Sequence, residues 1–219
     1  MTALNDVYIH PHALCESDQI GAGTRIWAYA HILKGAVIGM HCNIGDHCFV
    51  EGGARIGNYV TIKNGNMVWE GVTLEDGVFV GPHVFFTNDL YPRSPRYPLT
   101  GQRYQDKGWL LPTLVKHGAS LGAGAVIIAG ITIGAFALIG SGAVVTRSVP
   151  AHALMLGNPA QRVGWVGYSG APLVFNAGIA LDTDGHQFRL INNGEAIEPV
   201  TPAAPAAPAA PAPPPTTPE

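Results

Sequence analysis

The stretch Ile20–Val50, IGAGTRIWAYAHILKGAVIGMHCNIGDHCFV, places an aliphatic residue at every sixth position: Ile20, Ile26, Ile32, Ile38, Ile44 and Val50. The spacing runs on through Ile56, Ile62, Val68, Leu74, Val80 and Phe86, then resumes at Val115, Leu121, Ile127, Ile133, Ile139 and Val145. Four residues after most of these stands a small or β-branched residue, such as Thr24, Ala30, Cys42, Cys48 or Ala54. Glycine often precedes it, as in Gly23, Gly35 and Gly53. A helix turns through about 600° in six residues and cannot keep such positions on one face. Short strands separated by tight corners can. Two residues of each hexad then point inward, and glycine supplies positive φ at the corner.

The residue after each aliphatic sets the size of the coil. It is Gly21, Gly39 and Gly57 on one phase, Gly45 and Gly81 on a second, and Leu33, Glu51, Trp69 and Thr87 on the third. The expected fold is therefore all-β: a three-sided solenoid with 18 residues per coil, whose short strands share one core. Six coils at roughly 4.8 Å per layer would make a prism about 29 Å long. Val115 resumes on the first side, so the gap is one long inserted loop (87–114) at a corner.

The chain has 219 residues, 12% of them charged and 47% hydrophobic, with a formal net charge of -3. Such a balance offers nucleic acid no basic field. Three cysteines without a CxxC pair fit a reducing compartment, and MTALNDVYIH has neither the basic nor the apolar region of a secretory signal; the cytoplasm is expected. No Asp, Glu, Lys or Arg lies between Lys116 and Arg147, but this stretch keeps the hexad rhythm and its corner glycines, so no membrane span is expected.

The hexads IGAGTR, IGDHCF and LGAGAV resemble the hexapeptide-repeat superfamily of acyltransferases, and the resemblance covers residues 7–163. It implies a left-handed parallel β-helix, the hand coming from the resemblance alone. The strings RIWAYAH (Arg25 to His31), HCFVE (His47 to Glu51), LEDGVFVGP (Leu74 to Pro82) and FTNDLYPR (Phe86 to Arg93) resemble one branch. Its members move acetyl from acetyl-CoA to the 3-amino group of a nucleotide-linked sugar. FTND followed by PR is more similar to enzymes acting on dTDP-3-amino-3,6-dideoxyhexoses than to those acting on UDP-linked sugars. The resemblance further implies a homotrimer with sites between neighbouring prisms, serving surface polysaccharide synthesis. Oxygen acetylation and a non-catalytic solenoid scaffold stay open as alternatives.

Several residues then become candidates. Asn88 offers a donor and an acceptor in one amide, and the resemblance sets it beside acceptor sugar and thioester. Asp89 could hold the ammonium or a hydroxyl; a turn-forming Asx pair is the alternative for both residues, and more so for Asp89. His31 ends RIWAYAH and is the best histidine for the acceptor pocket, with His83 behind it. In this branch the departing CoA thiolate can take the final proton, so a histidine base is not required. Arg93, Arg96, Arg103 and Lys107, interleaved with Tyr91, Tyr97 and Tyr104, suit a diphosphate joined to a flat base. Glu51 and Glu70 project near the same corner. By resemblance, amides near Gly122, Ala123, Gly140 and Ser141 bind pantetheine, and Arg147 and Arg162 meet CoA phosphates. His41, His47, Cys42 and Cys48 invite a metal reading, but the repeat puts both cysteines in the inward slot and both histidines at corners. No metal is expected.

The reading divides the chain into a solenoid (1–166), a small β extension (167–200) containing the turn strings DTDG and NNGE, and a Pro/Ala-rich tail (201–219). The tail carries eight prolines and no aromatic residue, and it is expected to be disordered. Truncation after Val200 should leave acetyl transfer and oligomer size unchanged. A thiol-release assay with light scattering checks this, and loss of either property would give the tail a role.

Overall fold

The computed structural model describes residues 6–200, so the tail lies outside the described residues. The chain winds into a left-handed parallel β-helix of about 8 turns, almost entirely β. Nearly all of its strands are two residues long, and each is hydrogen-bonded to the strands one coil before and after it. The first side carries five stacked strands, from Val37–Ile38 to Thr132–Ile133. The second side runs from Tyr8–Ile9 through Leu138–Ile139 to Ala153–Leu156, and the third from Leu14–Cys15 to Val144–Val145.

Stacking in register puts residues eighteen apart side by side: Asn43 beside Thr61, Ile44 beside Ile62, Thr61 beside Phe79. The hexad aliphatics Ile26, Ile32, Ile44, Val50, Ile62, Ile127 and Ile139 are fully buried, and Ala30, Ala36, Cys48, Ala54 and Ala125 fill the inward corner slots between them. Thr24 and Asn66 are polar residues in such slots. Thr24 donates to Gly39 O (2.8 Å) and accepts from Cys42 N (3.0 Å). Asn66 donates to Gly81 O (2.9 Å) and accepts from Val84 N (2.8 Å). Both thus satisfy the backbone of the next coil, which lets a buried polar group stand in the core.

The expectation of six coils is too low, for a geometric reason. Ile9 pairs with Ile26 and Cys15 with Ile32, seventeen residues on rather than eighteen, because the first coil is one residue shorter. At the other end Met155 pairs with Ile139 and Val149 bridges Ile133, sixteen residues on. A search at period six stops where a coil changes length, although the stacking continues.

The corner glycines have positive φ, from Gly23 to Gly142, but seven equivalent corners hold Tyr29, His41, His47, Tyr59, His83, Phe136 and His152, also with positive φ. Their rings stack along the prism edge: Tyr29 on His47 at 4.9 Å, His41 on Tyr59 at 5.3 Å, Phe136 on His152 at 5.3 Å. Ring contact offsets part of the strain of a left-handed backbone. It also explains the paired HC strings. His41 and His47 are on different corners; burial raises the thiol pKa of Cys48 to about 11 and also pushes that of Cys42 up, away from the thiolate a metal would need.

Beyond the coils, Ala153–Leu156 turns back antiparallel to Gln161–Trp165. A three-stranded antiparallel meander follows, Ile179–Leu181, Gln187–Ile191 and Ala196–Pro199. It docks through Phe188, fully buried, which meets His152 at 5.1 Å and Tyr168 at 5.3 Å. A solenoid end otherwise leaves its core open, and this sheet helps to cover it. Among the described residues no helix is long and apolar enough to cross a membrane.

Two outcomes follow from this packing. A methyl group on Gly39 would stand 2.5 Å from Gly57 O and 2.6 Å from Asn58 Oδ1, so Gly39→Ala should cost about 1–3 kcal/mol in urea denaturation. Gly164→Ala, with nothing within 4 Å of the new methyl, is the control, expected within about 0.5 kcal/mol of the parent. The buried ring of His152, whose Nδ1 lies 3.0 Å from Val166 O, has its pKa pushed below 6.5 by burial. Its contribution to stability is therefore complete above about pH 6.5 and is lost as the pH falls through that value toward the folded pKa. Denaturation at a series of pH values should show this loss, and His152→Phe should reduce it; an unchanged pH dependence would assign it to other groups.

Candidate active site

The third side ends at the corner where the chain leaves the prism, and successive coils bring Glu51, Glu70 and Asn88 to that edge. Glu70 N donates to Glu51 Oε2 at 2.8 Å, and Asn88 Nδ2 lies 3.4 Å from Glu70 O. Leu111 N donates to Asn88 O at 3.0 Å, tying the returning arm of the loop to its outgoing arm. Leu110 and Leu111 pack against the corner glycines Gly71 and Gly130. The root of the loop is thus held by backbone and apolar contacts. Asn88 keeps its amide oxygen and one amide hydrogen uncommitted by these bonds.

The carboxylate of Asp89 is engaged within the loop itself. Its side chain is 9% exposed and accepts from the Arg103 guanidinium, from Tyr104 Oη at 2.8 Å and from Tyr91 N at 2.9 Å. Burial works to raise its pKa, but the bonds from Tyr104, Tyr91 and Arg103 outweigh it and hold the group below its ordinary value. Lys107 pairs with Glu70 across the loop. Arg93, Arg96 and Tyr97 are exposed, and Arg93 and Arg96 form no ion pair among the described residues. The expectation for this loop therefore divides. Asp89 and Arg103, expected at the sugar nucleotide, are engaged with each other, whereas Arg93, Arg96 and Tyr97 are free to meet a ligand.

The histidines are not brought to Asn88. His31 is on the outer face of the third side, at ring contact with Phe49 (5.6 Å), and its Nε2 lies 3.5 Å from Glu16 Oε1, long for a hydrogen bond. Phe49, Met67 and Phe85 follow it on successive coils, so it stands three layers, roughly 14 Å, from the level of Asn88. Proton transfer needs about 3 Å. Within one chain His31 is too far away to serve Asn88, so a place in the acceptor pocket would need a neighbouring prism. His83 shares the coil of Asn88 but occupies the opposite corner, with its ring over Gly65.

That opposite corner holds Gly122, Ala123, Gly140 and Ser141 on the last coils. Gly122 is pressed against Ser141 N, so its missing Cβ serves coil stacking, but Gly124 and Gly142 beside them face open space with nothing within 4 Å. Arg147 is exposed on the edge that carries Asn88. Arg162 is held in the chain, its guanidinium 4.4 Å from the Trp165 ring and 3.5 Å from Glu195 Oε2. Between the two corners the outer face of the third side is apolar except at His31: Leu14, Phe49, Met67, Phe85, Val126 and Val144 line it, with Met67 49% and Phe85 57% exposed. An exposed apolar stripe of this length marks an interaction surface. A groove of about 670 Å³ lies instead on the first side, among Arg55, Thr73, Glu75, Asp76 and His117. The Asn88 corner in one chain is an open ledge.

Tyr104, expected among the aromatics that meet the flat base, instead uses its hydroxyl to join Asp89 to Arg93 N (2.7 Å).

Comparison with known proteins bears on all of this. Residues 19–52 match the family model described as bacterial transferase hexapeptide (six repeats). Over 159 residues the chain is 47% identical to dTDP-3-amino-3,6-dideoxy-alpha-D-galactopyranose 3-N-acetyltransferase of Aneurinibacillus thermoaerophilus, a match covering 73% of this chain and 78% of that protein. It is 25% identical over 162 residues to the bifunctional protein GlmU of Nitratidesulfovibrio vulgaris (strain DP4), covering 70% of this chain but 33% of that longer protein. Among solved structures, PerB from Caulobacter crescentus in complex with CoA and GDP-perosamine is 27% identical with a TM-score of 0.39, covering 72% of this chain and 57% of that one.

Proposed function

The chain belongs to the hexapeptide-repeat acyltransferases, in their sugar N-acetyltransferase branch, and from that premise we propose that it transfers acetyl from acetyl-CoA to the 3-amino group of a nucleotide-linked sugar. A dTDP-linked 3-amino-3,6-dideoxyhexose is the favoured acceptor. The observation that carries this reading is the 47% identity to the Aneurinibacillus enzyme over most of both chains. The ledge at Asn88 is in keeping with it.

In the reaction the neutral amine attacks the thioester carbonyl, the C–N bond forms, and the C–S bond then breaks as the tetrahedral centre collapses. The proton lost from nitrogen ends on the CoA sulfur, whose thiol pKa near 8.5 suits that task. The chain's part is to orient. Asn88, tethered through Glu70 O, presents the rest of its amide to the reacting centre. Arg93 and Arg96 meet the diphosphate and Tyr97 stacks on the base. The open corner at Gly124 and Gly142 admits the pantetheine arm, and Arg147 lies on the far edge for a CoA phosphate. The apolar third side is covered by a neighbouring prism in a homotrimer, which would turn each open ledge into an enclosed site and bring a neighbour's surface to His31. A cytoplasmic enzyme would have both co-substrates at hand.

Thiol release from acetyl-CoA across dTDP- and UDP-linked 3-amino sugars tests the reading, and no release with any of them would refute it. Asn88→Ala should lower kcat at least tenfold, toward the 10²- to 10³-fold cost of a lost oxyanion donor, with oligomer size unchanged. His31→Ala and His83→Ala should each retain turnover. A folded but inactive histidine variant would restore a protein base.

A further inference from the structure

We propose that Asp89, Arg103 and Tyr104 form a clasp that closes the inserted loop on its own root and so positions Asn88 and Arg93. Asp89 and Arg103 act through the loop rather than on the sugar nucleotide. The inference rests on reading Asn88 as a group at the acyl-transfer centre.

The first ground is the state of the carboxylate. A charge as buried as that of Asp89 is tolerated only where donors replace its water. Arg103, Tyr104 Oη and Tyr91 N provide three, and no sugar is needed to complete the set. The second is connectivity. Tyr104 Oη donates to Asp89 and accepts from Arg93 N at 2.7 Å, so one hydroxyl joins the outgoing arm at two points to the short 3-10 turn Gly101–Tyr104. Trp109 packs on Tyr104 at 5.5 Å, and the Arg103 guanidinium lies 5.5 Å from the Tyr104 ring. The third is charge. Of the four loop cations, Arg103 and Lys107 are neutralised by Asp89 and Glu70, which leaves Arg93 and Arg96 for a diphosphate.

Asp89 directly follows Asn88 in the chain, so its anchorage restricts the backbone of its neighbour. A misplacement near 1 Å at a reacting centre can cost about 10²-fold in rate. Asp89 and Arg103 are positioning residues on this account.

The test combines steady-state kinetics with amide hydrogen exchange on the full-length protein. Asp89→Asn, Arg103→Gln and Tyr104→Phe should each accelerate exchange over residues 90–105 while exchange in the coils stays as in the parent. Each should lower kcat and raise KM for the sugar nucleotide, by roughly tenfold or more in kcat/KM, with KM for acetyl-CoA unchanged. The double variant Asp89→Asn/Arg103→Gln should be no worse than the weaker of its single parents, since both break the same contact. Arg93→Gln and Arg96→Gln should raise KM for the sugar nucleotide without altering exchange. The proposal is overturned if Asp89→Asn loses activity with loop exchange unchanged, or if the losses of Asp89→Asn and Arg103→Gln multiply, either of which would put these groups on the substrate. Full activity in Asp89→Asn would overturn it too. Exchange is measured without substrate, so the clasp stands or falls even if no 3-amino sugar is acetylated.

Discussion

Each coil of this protein is held by the hydrogen bonds it makes to the coils above and below, and those bonds form only while neighbouring rungs stay in register. A two-residue strand buries almost nothing alone. Stacked under Ile26, Ile44 and Ile62, it becomes part of a continuous core whose aliphatic residues are fully buried. Register is kept at the corners, where the backbone must pass through positive φ within a few residues. Glycine meets that demand by lacking a Cβ. Tyr29, His41, His47 and Phe136 meet it by stacking their rings on the neighbouring coil.

The same constraint places the chemistry. A stack that admits no irregularity inside can accept an insertion only at a corner, and here that is the edge after Phe86, where Asn88 is the last residue before the arm departs. Everything up to Thr87 is held by the stack; Thr87 itself accepts from Ala129 N on the next coil at 2.9 Å. The loop then adds Arg93, Arg96, Arg103 and Lys107, with Tyr91, Tyr97, Tyr104 and Trp109, at that one corner. Its long excursion is tied near the root by the carboxylates of Glu70 and Asp89, and placement is a large part of what acyl transfer asks of a protein.

Much of this was legible from spacing. The three sides, the inward slots and the positive φ of the corner glycines follow from periods of six and eighteen, because a rotation that repeats exposes the same face each time. The first and last coils escaped that search, since Ile9 to Ile26 spans seventeen residues and Ile139 to Met155 sixteen. The loop escaped for another reason. It has no period, so nothing in NDLYPRSPRYPLTGQRYQDKGW indicates that Asp89 reaches Arg103 and Tyr104 rather than a ligand, or that Glu70 rather than a phosphate takes Lys107. His31 and Asn88 were both candidates by resemblance, and stacking sets them three layers apart within one chain.

By itself the amino-acid order determined the coil, its three faces and the corner at which an arm is released, because those depend on which residues recur at a fixed interval along the chain. The tertiary structure decided which acids and cations neutralise each other, which histidines stand away from the ledge, and which face is left apolar and uncovered. Those are matters of distance between segments far apart in sequence, where burial makes an unpaired charge costly and so selects the pairings that form.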